Sequence, residues 1–155
     1  MINAGIIGFG KMGQIRASAL KNSNRALILS VYEENILPDD FIGTISNSIN
    51  DIINNPEINA VFICTPNYLN KTLTIQALNA GKHVFCEKPP AFNSHEVEEV
   101  IKAEKKSGKK LMYGFNHRHH GSIRHMKKII DSKKYGKVLW MRGRYGKSVD
   151  NSFFN

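Results

Sequence analysis

Three short stretches hold residue types whose spacing can do chemistry. Gly8-Phe9-Gly10-Lys11-Met12-Gly13 has the form Gly-x-Gly-x-x-Gly and follows the apolar run Ile2 to Ile7 directly. Such a turn cradles phosphate. The first glycine permits a tight turn, the second lets the backbone approach a pyrophosphate, and the third lets helix and strand pack closely. The positive end of the helix that follows faces the anion. Glu33 comes about twenty residues further on, where a carboxylate accepts from ribose hydroxyls and repels a 2′-phosphate. NAD is therefore favoured over NADP, with Glu34 as a substitute if the register slips. Thr65-Pro66-Asn67 and Glu87-Lys88-Pro89 complete the set. Lys88 is the amine of interest, able to hydrogen-bond a nicotinamide ribose and a substrate hydroxyl. Taken alone, a Glu-Lys pair before two prolines more often marks an ordinary surface turn.

These residues need elements to position them. Ile2–Ile7, Ala26–Tyr32, Asn59–Thr65, His83–Cys86 and Lys110–Phe115 read as strands, and a short one is expected within Phe41–Ser46. Helical periodicity lies between them. The first helix is predicted to turn Met12, Ile15, Ala19 and Leu20 inward, and a second to run through 47–54. Asn67 can cap a third that closes at Gly81, and Asn93 with Glu96 resembles a capping box. Strands alternating with crossovers of helical length predict an α/β fold with a doubly wound, mostly parallel sheet. Thr65-Pro66-Asn67 and Glu87-Lys88-Pro89 then fall at carboxyl ends of parallel strands, where open α/β sheets bind ligands. Beyond residue 120 the pattern changes. Ser122–Ser132 reads as a helix and Lys137–Gly146 as a strand of alternating character. The domains expected are 1–119, which binds the dinucleotide, and 120–155, the beginning of a second domain that breaks off.

Composition narrows the class. The chain has 155 residues, 41% hydrophobic and 23% charged, as in an ordinary soluble protein. It opens on a strand, so no leader segment is expected, and no apolar run has membrane-span length. Cys64 and Cys86 fall in buried strands and are expected as free thiols in a cytoplasmic protein. The net charge of +9 is uneven. Residues 1–101 carry seven Lys/Arg against ten Asp/Glu, whereas 102–147 carry fifteen against two. Nucleic acid is one reading of such a basic half, yet the segment has no helix-turn-helix signature and no interleaved stacking aromatics. A phosphate-bearing substrate, or acidic groups of a further domain, fits better. His117, His119 and His120 crowd together without the spacing of a zinc motif, so no metal is expected.

The longer blocks identify a family. Ala60-Val61-Phe62-Ile63-Cys64-Thr65-Pro66-Asn67, Ala77 to Pro89 with its Ala-Gly-Lys-His-Val and Glu-Lys-Pro segments, Gly114 to His120 and Tyr135-Gly136-Lys137-Val138 resemble the glucose–fructose oxidoreductase/inositol dehydrogenase family, Gfo/Idh/MocA. The resemblance covers essentially the whole chain. It implies an NAD(P)-dependent oxidoreductase acting on a small sugar, cyclic polyol or nucleotide sugar. It also implies a C-terminal α/β domain whose open sheet mediates homo-oligomers, with neither nucleic acid nor membrane as partner. Lys88 is then the catalytic lysine and touches substrate with Arg118, while Glu87 supports it. The cofactor site implied comprises Gly8, Phe9, Gly10, Lys11, Met12, Gly13, Glu33, Thr65, Pro66, Asn67, Glu87 and Lys88.

Three departures qualify the match. Asn70 stands where the family often has histidine, Gly121 where relatives tend to have proline, and the family's catalytic Asp and His would lie past residue 155. Hydride transfer from a hydroxyl carbon needs a base for the hydroxyl proton. These 155 residues alone are thus expected to bind NAD and turn over little or no substrate. A non-catalytic dinucleotide sensor or interaction module is the other reading.

Overall fold

Five strands lie side by side in the order β2-β1-β3-β4-β5, and every pairing is parallel. The structure is a computed structural model and describes residues 1–35, 43–144 and 146. The strands are β1 (Ile2–Ile7), β2 (Ala26–Tyr32), β3 (Ala60–Ile63), β4 (His83–Cys86) and β5 (Leu111–Tyr113). The helices are α1 (Lys11–Ser23), α2 (Ile49–Ile53), α3 (Asn67–Asn79), α4 (Ser94–Ser107) and α5 (Gly121–Asp131), with a 3₁₀ turn at Asn116–His119. This is the doubly wound α/β fold expected from the alternation. The chain steps from β1 outward to β2, then returns to place β3 on the other side of β1. The strand order therefore reverses at β1/β3, where ligands of such sheets bind.

Side-chain alternation along the strands splits the core in two. Ile7, Val61, Ile63, Val84 and Cys86 pack with Ile52, Leu73, Ala77 and Leu78 on the face covered by α2, α3 and α4. Ile6, Phe9 and Val31 pack with Ala17 of α1 on the opposite face. The inward side of α1 is only partly the predicted one: Leu20 packs against this cluster and Met12 is half-buried, but two of the four expected residues are not inward. Gly13 and Ala17 are buried, while Ile15 is 45% exposed and Ala19 is exposed. Gly13 faces the end of β1, and only glycine fits there, because a Cβ would run into the Gly8 carbonyl. That contact fixes the rotation of the whole helix.

Helix ends follow local chemistry. Ser48 caps α2 with a full capping box to Asp51. At α3 the cap is Pro66, whose carbonyl accepts the Leu69 N–H (3.0 Å), so Asn67 is the first helical residue rather than the cap. The same helix ends in a Schellman motif, with Lys82 N–H on Ala77 O and Gly81 N–H on Leu78 O (2.9 Å each). Gly81 holds φ +76° there, a region that favours glycine. Asn93 caps α4 by accepting from Glu96 N–H (3.0 Å), but the Glu96 carboxylate reaches Phe92 N–H, one residue before the cap.

The expected strand within 41–46 falls partly outside the described residues. Its end forms one parallel bridge, Val31 to Ile45. Contacts divide the chain into two units, Met1–Phe115 and Asn116–Asn155. In the second, α5 exposes Ile123, Met126, Ile129 and Ile130. Residues 137–144, expected as a strand, have no regular structure. A strand needs a ladder partner, and no other strand is described in that unit. The rest of that expected strand includes Tyr145, which lies outside the described residues. Among the described residues no helix is long and apolar enough to cross a membrane.

Lys82 explains one conspicuous part of the Ala-Gly-Lys-His-Val block. It is buried, and its ammonium donates to the carbonyls of Asn55 (2.6 Å) and Ile58 (2.9 Å), pinning the loop before β3. Burial, then the nearby Lys109 charge, pull its pKa below the ordinary lysine value. Lys82→Met strands both carbonyls. It is expected to cost about 1–3 kcal/mol, measured as a lower urea midpoint with an unchanged m-value.

Candidate functional site

Parallel register sets the site. Tyr32, Ile7, Ile63, Cys86 and Tyr113 align across the sheet as one transverse row. The residues that follow them are Glu33, Gly8, Cys64, Glu87 and Gly114. Their row continues the ladder, with Gly8 N–H on Tyr32 O (2.8 Å), Cys64 N–H on Ile7 O (2.7 Å), Glu87 N–H on Ile63 O and Gly114 N–H on Cys86 O (2.9 Å each). The carboxyl edge thus brings all the unit-one motifs into one line. At ordinary strand spacing, Glu33 and Glu87 stand three strands apart, roughly 14 Å.

A cleft of about 450 Å³ opens along this edge. Its walls include Gly8, Phe9, Gly10, Glu33, Thr65 and Pro66, six of the residues singled out from the sequence. Gly8 has φ +87°, and a Cβ on it would come within 2.7 Å of the Cys64 carbonyl. Gly10 is the N-cap of α1, and a Cβ there would meet nothing within 4 Å. Lys11, Met12 and Gly13 form the first turn of α1, whose leading N–H groups have no partner within the helix. No acidic side chain belongs to that turn. Asn67 holds the corresponding first position of α3. The Thr65 hydroxyl is buried with no hydrogen-bond partner among the described residues.

Glu33 fastens the glycine turn to β2. One of its carboxylate oxygens accepts from Phe9 N–H, and the other accepts from Asn35 N–H (3.1 Å) and the Asn35 side chain (3.0 Å). Burial pushes the carboxyl up, but these bonds from Asn35 and Phe9 outweigh it and hold the pKa below 4.5. The group is an anion at neutral pH.

Lys88 itself is exposed and lies outside the cleft lining, at the end of β4. The backbone around it is held from beneath. Asn70 of α3 is fully buried, and its Nδ2 donates to Glu87 O (3.0 Å) and Pro89 O (2.8 Å), one carbonyl on each side of Lys88. The Lys88–Pro89 peptide is cis. The residue that departs from the family pattern is therefore a clasp for the lysine segment. In the sequence Asn70 stands out only as a departure, because its two acceptors lie 17 and 19 residues away. Glu87 does not line the cleft; its carboxylate pairs with Arg16 of α1. Gln14, Tyr32, Ile49, Tyr68 and Leu69 line the cleft as well. Spacing gave no signal for them, since only the folded sheet edge gathers them.

Arg118 sits in the second unit on the 3₁₀ turn, exposed, beside a groove it shares with Ile123, Arg124, Lys127, Lys128 and Asp131. His117 and His119 lie on the same turn and His120 precedes α5. Among the described residues no group of three or more His, Cys, Asp or Glu side chains is placed to hold a metal. Cys64 and Cys86 are free, and burial pushes each thiol up to about 12.

Comparison with known proteins gives a consistent picture. Residues 2–115 match the family Gfo/Idh/MocA, described as an oxidoreductase family with an NAD-binding Rossmann fold. Inositol 2-dehydrogenase of Salmonella typhimurium is 32% identical over 93% of this chain and 46% of its own length. The 2,7-anhydro-N-acetylneuraminate hydratase of Escherichia coli is 32% identical over 90% of this chain and 38% of its own. The crystal structure of myo-inositol 2-dehydrogenase from Lactobacillus plantarum superposes with a TM-score of 0.77 at 31% identity, over 89% of this chain and 43% of that one. The chain spans less than half the length of these relatives.

Glu33 makes the site's stability depend on pH. Because its folded pKa lies below the ordinary 4.5, its contribution is complete above that value and is lost as pH falls through the folded pKa. Glu33→Gln is expected to be less stable than the native chain at pH 7, with the gap closing below about pH 4. Urea titrations across pH measure this, and a gap independent of pH would contradict the assignment.

Proposed function

Because the chain belongs to the Gfo/Idh/MocA oxidoreductases, with their NAD-binding Rossmann fold over residues 2–115, we propose that it is the cofactor-holding part of an NAD-dependent dehydrogenase. The substrate class is a hydroxyl or keto carbon of a sugar, cyclic polyol or nucleotide sugar. The observation that carries the reading is the open space over Gly10. A Cβ there touches nothing, so the fold has no steric need of glycine at that position. A ligand that approaches the backbone does.

The residues present fit a dinucleotide. The first-turn N–H groups of α1 receive its pyrophosphate, with helix dipole and hydrogen bonds acting together. Glu33 accepts from the adenosine ribose hydroxyls and repels a 2′-phosphate, which favours NAD over NADP. Bound nicotinamide supplies a carbon that gives or takes hydride, and the protein contributes position and electrostatics. Lys88 donates hydrogen bonds to the nicotinamide ribose and to the reacting substrate oxygen, stabilising negative charge as it develops there. The hydroxyl proton goes to a general base. By family resemblance that base is a histidine of a second domain, which residues 116–155 begin.

Two measurements test the proposal. By calorimetry the native chain is expected to bind NAD more tightly than NADP. Gly10→Ala is expected to keep the native Tm, since alanine accepts φ −63°, yet lose roughly tenfold or more in NAD affinity. Gly13→Ala should lower the Tm itself. Unchanged NAD affinity in Gly10→Ala would contradict the reading. In turnover assays with inositols and sugars, a chain extended by the second domain should be active and these 155 residues nearly inert. Equal rates would overturn the division of labour.

A further inference from the structure

The sequence paired Glu87 with its neighbour Lys88, but the fold pairs it with a residue 71 positions earlier. The Arg16 guanidinium directs both Nε (2.8 Å) and Nη2 onto Glu87 Oε1. It also stacks over the Phe85 ring, 4.8 Å from its centroid. Both charged side chains are largely buried, at 16% and 8% exposure. Gly114 closes the other side, where a Cβ would stand within 2.9–3.1 Å of the Glu87 carboxylate. The carboxylate is thus seated between a fork of donors and a strand edge.

We propose that Arg16 is a positioning residue for Lys88, acting through Glu87. A buried ion pair is poor as a source of stability but strict about geometry, because a displaced partner leaves an uncompensated charge. Arginine suits the role through its planar fork, its stacking and its permanent charge. Lys88 follows Glu87 directly, so its Cα moves only as far as the pair and the Asn70 clasp allow. Arg16 also lies on α1, whose N-terminus is the phosphate cradle. The two ends of the cofactor site are therefore tied together: seating a pyrophosphate on α1 and presenting the Lys88 amine use one rigid connection. This inference rests on the proposed contact between Lys88 and the cofactor.

A double-mutant cycle on NAD affinity separates positioning from general support. The native chain, Arg16→Met, Lys88→Ala and the double variant are compared by calorimetry with NAD, with each Tm recorded. Arg16→Met is expected to weaken NAD binding roughly tenfold in the native background and to have little further effect in Lys88→Ala. Arg16→Lys, which keeps the charge and loses the fork, should fall between, and it replaces Arg16→Met in the cycle if that variant does not fold. An equal loss in both backgrounds means that Arg16 merely supports the fold and overturns the inference while leaving Lys88's role intact. No loss from Arg16→Met overturns it as well. If Lys88→Ala itself leaves NAD affinity unchanged, the proposed role of Lys88 fails and the inference falls with it.

Discussion

The closeness of α1 to β1 governs the site. Gly13 faces the Gly8 carbonyl with no room for a Cβ, and Gly8 turns against the Cys64 carbonyl at a positive φ. A helix held that near its strand aims its first turn at the space above the β1/β3 junction. The same rotation sends Ala17 into the core and brings Arg16 to Glu87. It leaves Ile15, by hydrophobicity the better core residue, 45% exposed. Steric exclusion at one glycine outranks the burial of an isoleucine, because backbone overlap cannot be relaxed by choosing another rotamer.

A second principle runs through both ends of the sheet: buried or half-buried polar groups hold backbone there. Asn70 ties the carbonyls either side of Lys88, Lys82 ties two carbonyls of the loop before β3, and Glu33 ties the glycine turn to the end of β2. Each bond links segments distant in sequence. Such groups are costly if left unpaired inside a protein and therefore strict about geometry when paired. At the carboxyl edge the Asn70 and Glu33 bonds hold the loops of the site, while apolar packing lies deeper between strands and helices.

The distribution of charge bears on the second unit. Residues 102–147 hold most of the basic groups, and α5 combines Arg124, Lys127 and Lys128 with an exposed face of Ile123, Met126, Ile129 and Ile130. Amphipathic helices obtain their stability from packing their apolar face. Within the described residues of this unit, α5 has no sheet to pack on. That setting also accounts for the fate of Lys137 to Arg144: alternation of residue types specifies which side chains would share a face, but only a neighbouring strand makes that face exist.

The sequence by itself determined the wound α/β order, the glycine cradle, the carboxylate at the end of β2 and the motifs at the ends of β3 and β4. All of these are local: strand periodicity, turn chemistry and the spacing from turn to helix are properties of contiguous residues. Tertiary structure decided the rest. It rotated α1, moved the cap of α3 from Asn67 to Pro66, and turned Glu87 away from the cleft onto Arg16. It also gave Asn70 a task that the residue type alone did not reveal. These outcomes depend on which strands become neighbours and in what register. A parallel sheet sets both through crossovers of many residues, so no short stretch of sequence encodes them.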